Sequence, residues 1–185
     1  MESDASREAP LSTALFTGHD VAEILRERGW LDANAEIAFD GALQSWLTRA
    51  ADLLGAHVAD RAALGDLLAL VFAYDAAAIL REPATQAVLA REGARDVIRE
   101  LANRVLDGGE IDSDRFKEII DSMKGALPQR SRELFHPIRL ALAGRAGEGE
   151  LDRVILLLDA AAKIDFAVPV KSTRQRMLEF CAALD

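Results

Sequence analysis

Hydrophobic residues recur along this chain three and four positions apart, and no stretch alternates convincingly as a β-strand would. Such spacing places apolar side chains on one face of an amphipathic helix. A weaker stripe of this kind runs from Val21 to Leu25 and ends near Gly29. The six clear stripes consist of Leu43, Trp46, Leu47, Ala50, Leu53 and Leu54; of Leu64, Leu67, Leu68, Val71 and Phe72; of Val97, Ile98, Leu101 and Val105; of Phe116, Ile119, Ile120 and Met123; of Leu151, Val154, Ile155 and Leu158; and of Met177, Phe180, Cys181 and Leu184.

Capping residues mark where several of these helices begin and end. Asp60 and the Asp112-Ser113 pair precede a stripe, where a short polar side chain can accept a hydrogen bond from the first turn. Gly55 and the pair Gly108-Gly109 follow a stripe, as glycine commonly does at helix ends. Because each helix is polar on its far face, the helices must pack against one another. The pattern predicts an all-α, multihelical protein.

The segment LDGGEIDS (106–113) is the best candidate for a hinge between two helical halves. The polar start of the chain, MESDASREAP, is typical of a loose terminal segment. We therefore predict a flexible tail at 1–13, a first helical subdomain at 14–106 and a second at 107–185.

Composition agrees with a soluble helical protein of 185 residues, half of them hydrophobic and only 5% aromatic. Alanine and leucine dominate, and both favour helix over strand. The single cysteine excludes an internal disulfide, so we expect a reducing, cytoplasmic location. The most apolar run, LLALVFAYDAAAIL (67–80), is too short to span a bilayer and contains Asp75, so no membrane partner is expected.

The net charge of −9 is unevenly distributed along the chain. Residues 1–60 carry −7 and residues 61–123 carry −4, whereas residues 124–185 carry +2. A phosphate backbone would be repelled by the first two parts and attracted to the third. The local excess of positive charge lies in 124–145, with Glu133 as the one acid there, and its candidate RNA-binding residues are Lys124, Arg130, Arg132, Arg139 and Arg145.

Catalytic motifs are missing from the sequence. His19, His57 and His136 are far apart, and they form no HExxH motif or other metal-ligand spacing. The glycines form no phosphate-binding loop. Cys181 lies on an apolar stripe, where a packed thiol is favoured over a nucleophile. We expect no catalytic residues, no bound metal and no small-molecule cofactor, and therefore no enzyme activity.

Two polar residues stand at positions that call for an explanation. Helical spacing from Leu64 and Phe72 places Asp75 near the buried face, so we predict an ion pair with an arginine of a neighbouring helix. His136 precedes a proline, which favours an extended backbone, and stacking or a simple hydrogen bond is favoured over metal ligation.

The segment ELFHPIRLALAG (133–144) contains a proline and an arginine close together and then stops on a glycine. Pro137 can open a helix and Gly144 can close it in the left-handed conformation. The two turns between them are too short to be stable alone in water, so something must anchor them.

The surrounding run FKEIIDSMKGALPQRSRELFHPIRLALAGRAGEGELDRVILLLDAAAK (116–163) resembles the C-terminal anticodon-binding region of bacterial glutamyl-tRNA synthetases. That family has a Leu-Phe/Tyr-x-Pro-Leu-Arg-x-Ala-Leu-Thr-Gly segment, a Gly-Pro-x-Leu turn and a final leucine-rich helix. The matching stretches here read LFHPIRLALAG, GEGEL and DRVILLLDAAA. The resemblance is specific over about fifty residues, while 60–105 is compatible with it and 1–59 aligns only loosely, through WL at 46–47.

The chain departs from the family pattern in several places. It contains neither of the nucleotide-binding signatures of these synthetases, the HIGH-type stretch and the KMSKS-type loop. The resemblance therefore implies a free-standing relative of the anticodon-binding region without the catalytic half, built as two helical bundles. Ala143 replaces the family's threonine and Gly149 the turn proline, and Glu148 and Glu150 flank that turn. Carboxylates there would repel phosphates unless a guanine or cytosine edge donates to them.

Two functions remain open at this stage. The first is RNA binding, with tRNA as the partner, by a module that acts alone or beside a synthetase. The second is a protein-interaction or regulatory module that kept the fold and lost the RNA surface. The basic stretch 124–145 favours the first and the acidic first half favours the second. Arg139 has two interpretations of its own: an anchor for its short helix, which is the favoured one, or a contact to an RNA base or phosphate.

Overall fold

The computed structural model describes residues 15–185, and every regular element within them is helical. This confirms the all-α prediction for that part of the chain, whereas the predicted tail at 1–13 lies outside the described residues. The helices are α1 (Gly18–Glu27), α2 (Ala42–Leu54), a short 3₁₀ helix (Gly55–His57), α3 (Arg61–Phe72), α4 (Ala76–Arg81), α5 (Pro83–Leu89), α6 (Ala94–Leu106), α7 (Ser113–Ala126), α8 (Ser131–Ala143), α9 (Glu150–Ala161) and α10 (Thr173–Leu184).

The hydrophobic stripes coincide with helices, and the predicted N-caps Asp60 and Asp112 are present. Gly55 is the C-cap of α2 as predicted, whereas the C-cap of α6 is Asp107, one residue before the Gly108-Gly109 pair. The Asp60 carboxylate accepts a hydrogen bond from the backbone N–H of Ala63 at 2.8 Å, and Asp112 accepts one from Arg115 at 2.8 Å. The stripes did not predict α4 and α5, which have 6 and 7 residues and are too short to show a helical period. None of the helices in residues 15–185 combines the length and the apolar character needed to cross a bilayer.

The predicted ion pair of Asp75 is wrong. Asp75 is exposed and caps α4, where its Oδ1 accepts a hydrogen bond from the backbone N–H of Ala78 at 3.0 Å. The prediction extended the helical register of α3 beyond Phe72, where that helix ends. Once the chain leaves the helix, spacing from Leu64 no longer determines which face a side chain occupies.

The predicted start of a helix at Pro137 is also wrong. Helix α8 begins at Ser131, so Pro137 lies in its interior, and His136 is helical rather than extended. A proline there cannot donate to the Glu133 carbonyl and costs about 3 kcal/mol in an isolated helix. Burial of Leu134 and Ile138, both 0% exposed, offsets that cost. Gly144 ends the helix as predicted, with a φ of 90°.

One continuous hydrophobic core joins helices from both sides of the 106–113 segment. Helix α9 packs against α2 and α3, and α8 packs against α6, α9 and α10. The indole N–H of Trp46 in α2 donates to the Leu157 carbonyl in α9 at 3.0 Å, and the ring of Trp46 packs edge-on against Phe72 and Phe166. The division into two subdomains at 106/107 falls in the α6–α7 connection and stays a prediction.

The connection between α6 and α7 is tied to the core by Asp159. Its carboxylate accepts hydrogen bonds from the backbone N–H of Ile111 at 2.6 Å and from the backbone N–H of Thr173 at 2.8 Å. The Thr173 hydroxyl donates to both Asp159 oxygens at 2.9 Å. A single buried carboxylate of α9 therefore holds both the predicted hinge segment and the start of α10.

Arg176 of α10 is a fully buried cation that binds the ends of two other helices. Its guanidinium donates to the carbonyls of Leu70 and Val71 at 2.9 and 2.7 Å, and to the Leu142 carbonyl at 2.9 Å. The first two carbonyls lie at the C-terminal end of α3 and the third at that of α8, where helices leave carbonyls without internal partners. The guanidinium also stacks on the Tyr74 ring at 4.5 Å, and burial lowers the pKa of Arg176 to about 10.

Replacing Arg176 by alanine should destabilise the whole fold. Each buried carbonyl left without a donor costs about 1–3 kcal/mol, so we expect Arg176→Ala to lower the free energy of unfolding by about 3 kcal/mol or more. The matched control is Arg49→Ala, at an exposed arginine of α2, which should change stability by less than about 0.5 kcal/mol. Urea unfolding measures both, and similar losses in the two variants would contradict this role for Arg176.

Candidate nucleic-acid interface

The five basic residues predicted from the sequence lie in one part of the fold, which we call the α7–α8 corner. The corner comprises the last turn of α7, the 127–130 connection, α8 and the 144–149 connection. The structure divides the five residues into two groups. The buried Arg139 and the exposed Arg130 each donate several hydrogen bonds to groups of the protein that hold the scaffold. Lys124, Arg132 and Arg145 are exposed, and Arg132 has one long contact to the exposed Glu148 carboxylate.

Arg139 anchors α8 to α9 and to the 144–149 connection. Its side chain is 9% exposed, and its Nε and Nη2 donate to the two carboxylate oxygens of Asp152 at 2.7 and 2.8 Å. Its Nη1 donates to the Gly147 carbonyl at 2.7 Å, and the guanidinium stacks on Phe135 at 4.8 Å. Paired hydrogen bonds of this kind fix the angle of the guanidinium as well as its position. Such an anchor is what a helix interrupted by Pro137 needs.

Arg130 closes the C-terminal end of α7. Its Nη1 donates to the carbonyls of Leu127 and Gln129 at 2.6 and 2.7 Å, and its Nη2 donates to the Lys124 carbonyl at 2.7 Å. A cation at the end of a helix satisfies free carbonyls and interacts favourably with the helix dipole. The exposed guanidinium of Arg130 therefore has a structural function in the turn between α7 and α8.

The backbone is strained at Ser131, the residue between Arg130 and Arg132. Ser131 has a φ of 49°, and within residues 15–185 it is the one non-glycine residue with a positive φ. Holding a non-glycine residue there costs on the order of 1–3 kcal/mol, and such strain is often found at functional sites. The strained residue stands directly between Arg130 and Arg132, so the turn that aims both side chains is held by the surrounding structure.

The three exposed cations come from three elements: Lys124 lies in the last turn of α7, Arg132 in the first turn of α8, and Arg145 in the connection after α8. The Lys124 ammonium lies 5.9 Å from the centroid of the half-buried Phe135 ring, which also contacts Arg139. The Arg132 side chain is 75% exposed, and its Nη2 lies 3.5 Å from Oε1 of Glu148. Arg145 is exposed in the 144–149 connection, two residues before the Gly147 carbonyl that Arg139 binds.

Arg91 belongs to the same surface, and the sequence did not predict it. It lies in the α5–α6 connection, and its Nη1 is 3.0 Å from Nδ1 of His136 in α8. The hydrogen bond to His136 agrees with the predicted preference for a simple hydrogen bond. Burial and the charges of Arg91 and Arg139 lower the pKa of His136. The two partners are 45 residues apart in sequence, so no window of local charge could have grouped them.

Acidic groups also approach this surface. Glu148 contacts Arg132, and Glu150 is the first residue of α9. Within residues 15–185, no group of three or more histidine, cysteine, aspartate or glutamate side chains is arranged to hold a metal ion. The corner can therefore offer exposed cations and a half-buried aromatic ring to a ligand, with the Glu148 carboxylate in contact with one of the cations.

Part of the chain is similar to a known synthetase. Glutamate–tRNA ligase 2 of Syntrophus aciditrophicus (strain SB) is 28% identical to it over 119 residues, which cover 61% of this chain and 23% of the ligase. The chain thus matches less than a quarter of the length of that relative. No protein-family model matches the chain. No solved structure matches it either.

The anchoring geometry of Arg139 leads to a stability test. Arg139→Ala leaves the Asp152 carboxylate and the Gly147 carbonyl without their donor, so we expect the free energy of unfolding to fall by about 1–3 kcal/mol. Arg132→Ala, at an exposed arginine of the same helix, should change it by less than about 0.5 kcal/mol. Urea unfolding of the two variants compares them, and equal stabilities would contradict the anchor.

Proposed function

We propose that this chain is a non-catalytic RNA-binding module whose ligand is tRNA, and that the α7–α8 corner carries the binding surface. The observation that carries the proposal is the exposure of Lys124, Arg132 and Arg145 on a corner whose other two arginines hold the scaffold. The similarity to glutamate–tRNA ligase 2 supports tRNA as the class of RNA, since that enzyme is named for it.

Charge supports this location of the surface. Residues 1–60 carry −7, a charge that repels a phosphate backbone, whereas 124–145 holds five basic residues and one acid. Lys and Arg side chains provide most of the affinity of proteins for nucleic acids by releasing counterions from phosphates. Only a local basic surface can provide that attraction in a chain of net charge −9.

The half-buried Phe135 offers a second type of contact. Single-stranded RNA loops bind proteins by stacking unpaired bases on aromatic or guanidinium planes. The Lys124 ammonium and the Arg139 guanidinium both lie over the Phe135 ring, so a base that contacts the exposed part of this ring would have a cation close to its own phosphates. This combination favours a single-stranded loop over a regular duplex.

A second candidate function is a protein-interaction or regulatory module, with a synthetase or another protein as its partner. Phe39 favours it, because this side chain is 96% exposed in the connection between α1 and α2. Glu36 and Asp40 are exposed beside it. An exposed aromatic residue among acids suits a basic protein surface better than it suits RNA.

A charge-reversal pair tests the RNA proposal. Arg132→Glu with Arg145→Glu should weaken the binding of labelled bulk tRNA by about tenfold or more, because the two changes convert attraction to phosphates into repulsion. Arg49→Glu with Arg99→Glu changes the net charge equally on α2 and α6, outside the corner, and should leave most of the affinity. Arg130 stays unchanged because it holds the end of α7.

Titration at two salt concentrations completes the test. Binding of the unchanged chain should weaken with salt, with a log–log slope of about −0.7 for each phosphate contacted in a single strand. An equal loss in the two charge-reversal pairs would contradict the location of the surface. Affinity no tighter than the generic ~10⁻⁴–10⁻⁶ M in the unchanged chain would favour the protein-interaction module instead.

A further inference from the structure

His136 connects two arginines that come from different elements of the fold. Arg132 stands four residues before it in α8, so the two side chains lie on the same helix face one turn apart. Arg91 reaches His136 from the α5–α6 connection, with 3.0 Å between Nη1 and Nδ1. Both arginines are exposed, so their remaining N–H groups are open to a ligand.

The hydrogen bond between Arg91 and His136 fixes the direction of the Arg91 guanidinium. An arginine can only donate, so Nδ1 of His136 must be the acceptor, and this requires the neutral imidazole. Burial and the charges of Arg91, Arg139 and Arg132 lower the pKa of His136, while the charge of Glu148 raises it. The net effect lowers the pKa of His136, which favours the neutral ring and with it the bond that aims Arg91.

The Glu148 carboxylate lies where an anionic ligand of Arg132 would bind. Its Oε1 is 3.5 Å from Nη2 of Arg132, and the two side chains are 68% and 75% exposed. An ion pair that exposed contributes little to stability, so breaking it costs the fold little. A carboxylate and a phosphate both accept hydrogen bonds from an arginine in the same planar arrangement. A phosphate can therefore replace Glu148 on this arginine.

We propose that Arg91 and Arg132 form a phosphate-binding pair, with His136 as the positioning residue, and that Glu148 occupies the pair until an RNA phosphate displaces it. This inference rests on the proposed RNA-binding function and adds a regulation of that surface. Glu148 acts as a competing anion within the chain, and it weakens the binding of isolated anions most. A strand that contacts several cations at once overcomes that competition.

Two matched substitutions separate this role from a general charge effect. Glu148→Gln and Glu133→Gln remove the same charge from the same corner, but only the Glu148 carboxylate contacts an arginine of the pair. We expect Glu148→Gln to tighten the binding of bulk tRNA by about 2- to 5-fold at low salt, as release of a weak exposed ion pair allows. Glu133→Gln should have a smaller effect. Equal effects of the two substitutions would overturn the proposal.

Substitution of the pair itself gives a further test. Arg91→Gln should weaken tRNA binding, and combining Arg91→Gln and Arg132→Gln with Glu148→Gln should abolish the gain that Glu148→Gln gives alone. Comparing these variants isolates the interaction between Glu148 and the two arginines, because the tighter tRNA binding of Glu148→Gln should depend on the arginines that the carboxylate no longer occupies. A gain that persists without both arginines would contradict displacement from this site.

Inorganic phosphate provides a readout that does not depend on RNA. The imidazole resonances of His136, followed by NMR in the full chain, should shift on addition of phosphate, and at lower phosphate concentrations in Glu148→Gln than in the unchanged chain. If phosphate shifts His136 while tRNA does not bind, the phosphate pair stands and the RNA function fails. If His136 does not respond to phosphate in either protein, the phosphate pair is wrong.

Discussion

The two hydrogen bonds from Arg139 to the Asp152 carboxylate are the constraint on which the α7–α8 corner depends. Helix α8 carries a proline in its middle and cannot rely on its own backbone bonds. The Arg139 side chain fixes that helix against α9 and holds the 144–149 connection through the Gly147 carbonyl. Close to Arg139, at the C-terminal end of α8, Arg176 binds the Leu142 carbonyl. The C-terminal half of the helix is thus held by one nearly buried and one fully buried cation.

Two arginines of the corner therefore hold its structure, and two others are available to a ligand. Arg139 and Arg130 satisfy groups of the protein itself, so their burial or backbone bonding defines the shape of the surface. Arg132 and Arg145 extend from that shape into solvent, with the strained Ser131 setting the direction of the first. Binding surfaces on rigid supports lose less conformational entropy when a ligand binds. An acidic chain can in this way present a small basic surface that keeps its form.

The sequence predicted what depends on local chemistry and missed what depends on distant contacts. Asp60 and Asp112 are predictable as caps because a cap and its helix are neighbours in the chain. The position of Asp75 does not follow from the sequence because the helical register of α3 ends at Phe72. The start of α8 does not follow either, because tertiary packing overrides the local preference of Pro137. Arg91 had no local signal, since it meets His136 across 45 residues.

Hydrogen–deuterium exchange of the full chain, with and without bulk tRNA, tests most directly whether the α7–α8 corner is the binding surface. We expect tRNA to slow amide exchange in peptides that cover residues 124–149, including the first turn of α8 and the 144–149 connection. Peptides from α1 and α2, which lie in the acidic part of the chain, should exchange at unchanged rates. Protection of α1 and α2 without any change over 124–149 would contradict this location.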